Sequence, residues 1–82
     1  MLVPLTSLKE GESGIIASIK ASPRGGGRGF QKRLVDMGLT PGTKVTVIKS
    51  APFRGPIEIY VRGSRLALGR GMAARIFVEI NR

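Results

Sequence analysis

Eighty-two residues, fourteen Lys or Arg against five acids and a net charge of +9 describe one small, strongly basic domain with an expected core contribution of about 3–5 kcal/mol. Cysteine and histidine are both absent. That removes disulfides, thiolate nucleophiles, the usual zinc, copper and haem ligands, and the commonest general base.

Pro4 to Gly11 reads as an entry segment with at most one turn, because Ser7 and Glu10 have capping-box spacing but no long apolar run follows. Leu5 and Leu8 would pin it to the core. Gly14 to Lys20 alternates Ile15, Ala17 and Ile19 against Ile16, Ser18 and Lys20, which is a strand, and Ile16 on the second face implies partial burial on both sides. Residues 21–29, Ala-Ser-Pro-Arg-Gly-Gly-Gly-Arg-Gly, contain nothing apolar larger than alanine and cannot order themselves by burial. The expectation is a flexible Gly/Arg loop over 21–29 feeding a helix over Phe30–Met37, with Gly29 as its N-cap.

Phe30, Leu34 and Met37 share one face of that helix. Gly38 stands where a helix end turns left-handed, and Leu39 where a residue packs back on the last turn, here against Leu34. Pro41-Gly42 suits the centre of a type II turn. Thr43 to Lys49 is then a strand with Val45 and Val47 on one face. Ser50 to Pro56 is a loop in which two prolines bracket Phe53-Arg54-Gly55.

Ile57, Ile59 and Val61 line one face of the next strand, and Gly63-Ser64 reads as a two-residue type II′ hairpin. Leu66 and Leu68 continue the core face. One helical turn is expected at Met72-Ala73-Ala74, followed by a closing strand with Ile76, Val78 and Ile80 inward. The fold class is mainly β: five short strands fit a small SH3-like or OB-like barrel, and strand length favours the SH3-like five-stranded barrel, with one short helix and one or two single helical turns, a single domain over 1–82.

Several stretches resemble the FeoA family. The run Arg33-Leu34-Val35-Asp36-Met37-Gly38-Leu39-Thr40-Pro41-Gly42-Thr43-Lys44-Val45 is similar to its R-L-x-x-[LM]-G-[LFI]-x-P-G-x-x-[VI] signature, with Leu34, Gly38, Leu39, Pro41 and Gly42 as the structural motif. The opening Leu5 to Glu12, Ala51-Pro52-Phe53, Pro56 to Ile59, the hairpin Gly63 to Leu68 and the closing Ala74 to Val78 follow in the family's order. The resemblance implies an SH3-like barrel and a bacterial, cytosolic accessory protein of the FeoB ferrous iron transporter, a membrane protein with a GTPase domain. It also implies kinship with the C-terminal domain of some iron-dependent repressors. The Arg-Gly-Gly-Gly-Arg-Gly run departs from the family pattern.

Charge, read together with the resemblance, gives the partner surface. Arg24, Arg28, Lys32 and Arg33 carry no acid among them until Asp36, an anion-facing patch for RNA, for lipid head groups or, as the resemblance favours, for an acidic partner face near the membrane. The plainer reading is a solvated loop. Arg62, Arg65, Arg70 and Arg75 suggest a second basic set, with Glu58 and Glu79 as partners worth little each.

The alternative function is a small basic barrel binding RNA or DNA. It is weakened by having only four aromatics, Phe30, Phe53, Tyr60 and Phe77, for base stacking, and no G-K-[ST] follows the glycines to hold a nucleotide. Unpaired barrel edges would support self-association. The scattered acids offer neither a catalytic pair nor tight metal coordination, so no enzyme, metal or cofactor is expected. Met1 to Leu8 is too short for a signal peptide, and no apolar run approaches the roughly 20 residues that span a bilayer. The expected place is the cytoplasm, next to the inner membrane when a partner recruits the protein there.

Overall fold

The structure is a computed structural model describing residues 1–20, 27–53 and 55–81. The described elements run β1 (Leu2–Pro4), a 3-10 turn over Leu5–Ser7, β2 (Ser13–Ile19), α1 (Gly27–Asp36), β3 (Lys44–Ser50), β4 (Ile57–Val61), β5 (Ser64–Leu68), α2 (Arg70–Ala73) and β6 (Ile76–Glu79). The strands form one antiparallel sheet in the order β1-β6-β2-β3-β4-β5. All six send buried residues into the same cluster, among them Val3, Ile16, Val45, Ile59, Leu68 and Val78. A sheet can do that only by curling around its own core, and the result is a barrel.

Leu5 and Leu8 are buried, so the entry segment plugs the barrel. The single turn expected here is the 3-10 turn over Leu5–Ser7. The Lys9 amide donates to Glu12 Oε1 at 3.0 Å, and Gly11 takes φ +85°. Glu10 instead crosses to β3, where its Oε1 accepts the Ser50 amide at 3.1 Å. The sheet also has a sixth strand: Leu2, Val3 and Pro4 pair with Glu79, Val78 and Phe77. Three residues containing a proline carry too little alternation to be seen, and β1 exists because β6 offers it an edge.

In β2 the inward face is not the one simple alternation suggests. Ile16 is 1% exposed and Ile15 is 43% exposed. A bulge explains why Ile19, on the opposite parity from Ile16, also packs on the core. Ile16 opposes Val78 and Ser18 opposes Phe77, which leaves Ala17 as the extra residue. A second bulge at Ile48 in β3 separates Val47 opposite Ile59 from Lys49 opposite Glu58. Both bulges sharpen the curl of the sheet. Gly14 permits close approach of β6 at this seam: a Cβ there would lie 2.9 Å from Ile80 Cγ2 and 3.0 Å from Val78 Cβ.

The helix begins at Gly27, three residues before Phe30, so Gly29 lies inside it and is not its N-cap. Residues 21–26 of the expected Gly/Arg loop lie outside the described residues. The hairpin centre also shifts. Val61 pairs with Ser64, so the two turn residues are Arg62 and Gly63, with φ +49° and +81°. Two positive values mark a type I′ turn, where asparagine-glycine is the usual pair. Arginine hides that signal. The expected helical turn at Met72–Ala74 is α2, which starts at Arg70.

Candidate interaction surface

The surface is built outward from the end of α1. The Leu39 amide donates to Leu34 O at 2.8 Å and the Gly38 amide to Val35 O at 2.9 Å. With Gly38 at φ +86°, these two bonds form a Schellman ending, and Leu34 and Leu39 are both fully buried beneath it. Met37 packs partly on the same core, and the side chain of Phe30 lies outside the described set. The next turn closes through the Thr43 amide to Thr40 O at 3.1 Å, with Gly42 at φ +90° as a type II turn requires. The Gly42 amide also donates to Ile16 O at 2.7 Å, tying this turn to β2.

One side chain holds both turns. Arg62, reaching from the β4–β5 hairpin, donates through Nε to Gly38 O at 3.2 Å. Its Nη2 donates to Thr40 Oγ1 at 3.3 Å and Thr43 Oγ1 at 3.0 Å. A planar guanidinium supplies several donors in a fixed fork, so it can staple the helix end, the type II turn and the hairpin together. The expected second basic set therefore divides. Arg62 braces the helix exit, and Arg70 Nη2 donates to Ser50 Oγ at 3.0 Å and Ala51 O at 3.3 Å, bracing the loop after β3. Arg65 faces Glu58 at 3.9 Å, while Glu79 pairs with the Met1 amine at 2.6 Å.

With its end fixed, α1 presents Lys32, Arg33, Val35 and Asp36 to solvent. Among the described residues, neither Lys32 nor Arg33 is ion-paired to an acid. Of the other two expected contacts, Arg28 sits in the first turn of α1 and its side chain lies outside the described set, and Arg24 lies outside the described residues altogether.

Val35 is 56% exposed, and periodicity could have flagged it as the one aliphatic residue off the Phe30–Leu34–Met37 face. A groove of about 240 Å³ runs beside it, lined by Ile19, Val35, Leu39 and Pro41. On the other flank of the helix, a groove of about 380 Å³ is lined by Arg33, Asp36, Met37, Leu68 and Met72 among others. Basic side chains between two apolar grooves form a surface suited to protein contact. Among the described residues no three acids, histidines or cysteines converge as a metal site.

The FeoA domain family matches residues 3–80. This chain belongs to the FeoA family. A relative from Methanocaldococcus jannaschii named "Putative Fe(2+) transport protein A" is 42% identical over 78 residues, covering 95% of this chain and 87% of the relative. A crystal structure of an iron uptake regulatory protein, FeoA, is 40% identical with a TM-score of 0.79, covering 96% of each chain. A fusion of Fe(2+) transport protein A with the Fe(2+) transporter FeoB, from Porphyromonas gingivalis, is 34% identical over 77 residues. That match spans 93% of this chain but 8% of the fusion. A FeoA from Stenotrophomonas maltophilia, described as an SH3 domain protein, shares the fold with a TM-score of 0.79 at 23% identity, over 94% of this chain and 89% of its own. The six-stranded FeoA barrel is thus SH3-like, and its family is one of small accessory domains of ferrous iron transport.

Proposed function

We propose that this FeoA domain binds the cytosolic part of a FeoB-type ferrous iron transporter and modulates Fe(II) uptake through protein–protein contact. The single observation that carries the reading is the Porphyromonas gingivalis fusion, in which a segment similar to nearly all of this chain is joined covalently to FeoB. Fusion holds two domains at high effective concentration, which is useful when their separate forms meet on the same task. The contact surface is the exposed face of α1, with Lys32 and Arg33 as charged contacts and Arg24 and Arg28 extending the patch in sequence. Basic residues here steer approach to an acidic face, and the flanking grooves receive apolar side chains. A shift in the transporter then follows from unequal affinity for its two states.

The test is a titration against the cytosolic region of the host's transporter over a salt series, with RNA as competitor. Binding that saturates, resists RNA and weakens in the double variant Lys32→Glu, Arg33→Glu supports the reading. Affinity unchanged by salt and by the double variant removes the patch, and displacement by RNA removes the partner.

A further inference from the structure

Phe53 stands at odds with its surroundings. It is 99% exposed, and its backbone takes φ +58°. A bulky residue in the left-handed region is a steric outlier, and an aromatic ring in water forgoes the burial that ordinarily justifies its presence. Phe53 bears both costs with no return from the described residues.

The loop around it is braced in place. The Ala51 amide donates to Pro56 O and the Gly55 amide to Pro52 O, each at 3.2 Å. Arg70 donates to Ser50 Oγ and Ala51 O from below. Gly55 sits so close to Ala51 that a Cβ would meet the Ala51 Cβ at 2.8 Å. Strain that the surroundings hold in this way tends to mark a working position.

We propose that the Phe53 tip is an anchor that inserts into an anionic membrane surface. The choice of occupant follows from charge. The chain carries +9, and a positively charged protein with an apolar tip matches a surface of negative headgroups over an acyl interior. Lys49 is exposed at the end of β3, beside this loop. Glu58 faces Arg65, and the Arg70 guanidinium at Ser50 and Ala51 offsets the charge that Glu10 keeps while accepting the Ser50 amide. One ring and diffuse charge give weak, reversible binding, suited to a protein that samples a membrane face and does not reside there. This inference goes beyond transporter binding and does not depend on it.

The test uses the full chain and vesicles without any transporter. Phosphatidylglycerol-containing vesicles should co-sediment the protein at low salt, phosphatidylcholine vesicles should not, and salt should release it. Phe53→Ser should weaken binding about tenfold while leaving the thermal midpoint unchanged, because the ring is 99% exposed. Phe53→Trp places the sole tryptophan of the chain at the tip, and its emission should shift to the blue on anionic vesicles. Failure to bind anionic vesicles overturns the proposal. So does binding that Phe53→Ser leaves intact, or an unshifted tryptophan. Phe53→Ser that weakens transporter binding but not vesicle binding overturns it as well, and assigns the tip to a protein pocket.

Discussion

Gly38→Ala tests whether the Arg62 staple is energetically real. The substitution does two separable things. It forces an L side chain into φ +86°, which costs about 1 kcal/mol or somewhat more. It also places a Cβ 2.8 Å from Arg62 Cδ, so the arginine must move and give up bonds to Gly38 O, Thr40 Oγ1 and Thr43 Oγ1. Arg62 is exposed, so each bond is discounted to the low end, about 0.5 kcal/mol, and losing two or three removes about 1 kcal/mol. The single variant should therefore lose about 2 kcal/mol and melt about 8–16 °C lower. Arg62→Ala alone should lose about 1 kcal/mol. In the Arg62→Ala background, Gly38→Ala should cost only its backbone strain, so the double-mutant cycle should show coupling of about 1 kcal/mol. Urea unfolding followed by circular dichroism reads all four proteins. A Gly38→Ala loss that is the same in both backgrounds would refute the staple and leave only the left-handed glycine.

Gly29→Ala should stabilise the domain by about 0.5–1 kcal/mol, because Gly29 is helical with open space where the Cβ would go, and a rise in urea midpoint checks it. Gly14→Ala should destabilise by about 1–3 kcal/mol, since its Cβ is driven against Val78 and Ile80 at the β2–β6 seam; an unchanged midpoint would mean the seam yields freely. Glu58→Gln should change stability by less than about 0.5 kcal/mol, because the Arg65 contact is long and solvent-facing, and a larger loss in the same assay would mark a stronger pair than the geometry implies.

Much of the barrel could be read from residue patterns because its core positions repeat at the strand period. Ile57, Ile59 and Val61 alternate in sequence and are buried together, as are Ile76, Val78 and Ile80. Patterns failed where tertiary contact sets the outcome. β1 is too short to signal itself and depends on β6. The bulge at Ala17 lets Ile16 and Ile19, on opposite parities of β2, both pack on the core, and no composition rule announces a bulge. Arg62 misled in a similar way. Its residue type says solvent-exposed charge, while its backbone occupies a position normally given to asparagine and its side chain reaches the far end of α1. Of the proposed contacts, Lys32 and Arg33 could be named from sequence, but the exposed Val35 and the grooves beside it depend on how the helix is seated.

The fold changes what the net charge of +9 means. Counted in sequence, the basic residues look equally available to an acidic partner. In the fold, Arg62 and Arg70 are committed to backbone and hydroxyl oxygens, Arg65 lies toward Glu58, and Lys20 Nζ sits 4.9 Å from the centre of the Phe77 ring. These side chains still contribute to the long-range field, which sets the rate of approach. They are poorly placed to form new short contacts without first giving up those they hold. Lys32 and Arg33 have no such contacts to surrender among the described residues. Charge reversal should therefore separate the two groups. At Lys32 and Arg33 it should alter partner binding with little loss of stability. At Arg62 any binding defect should come with a lower unfolding midpoint, because the helix that carries the surface is being released.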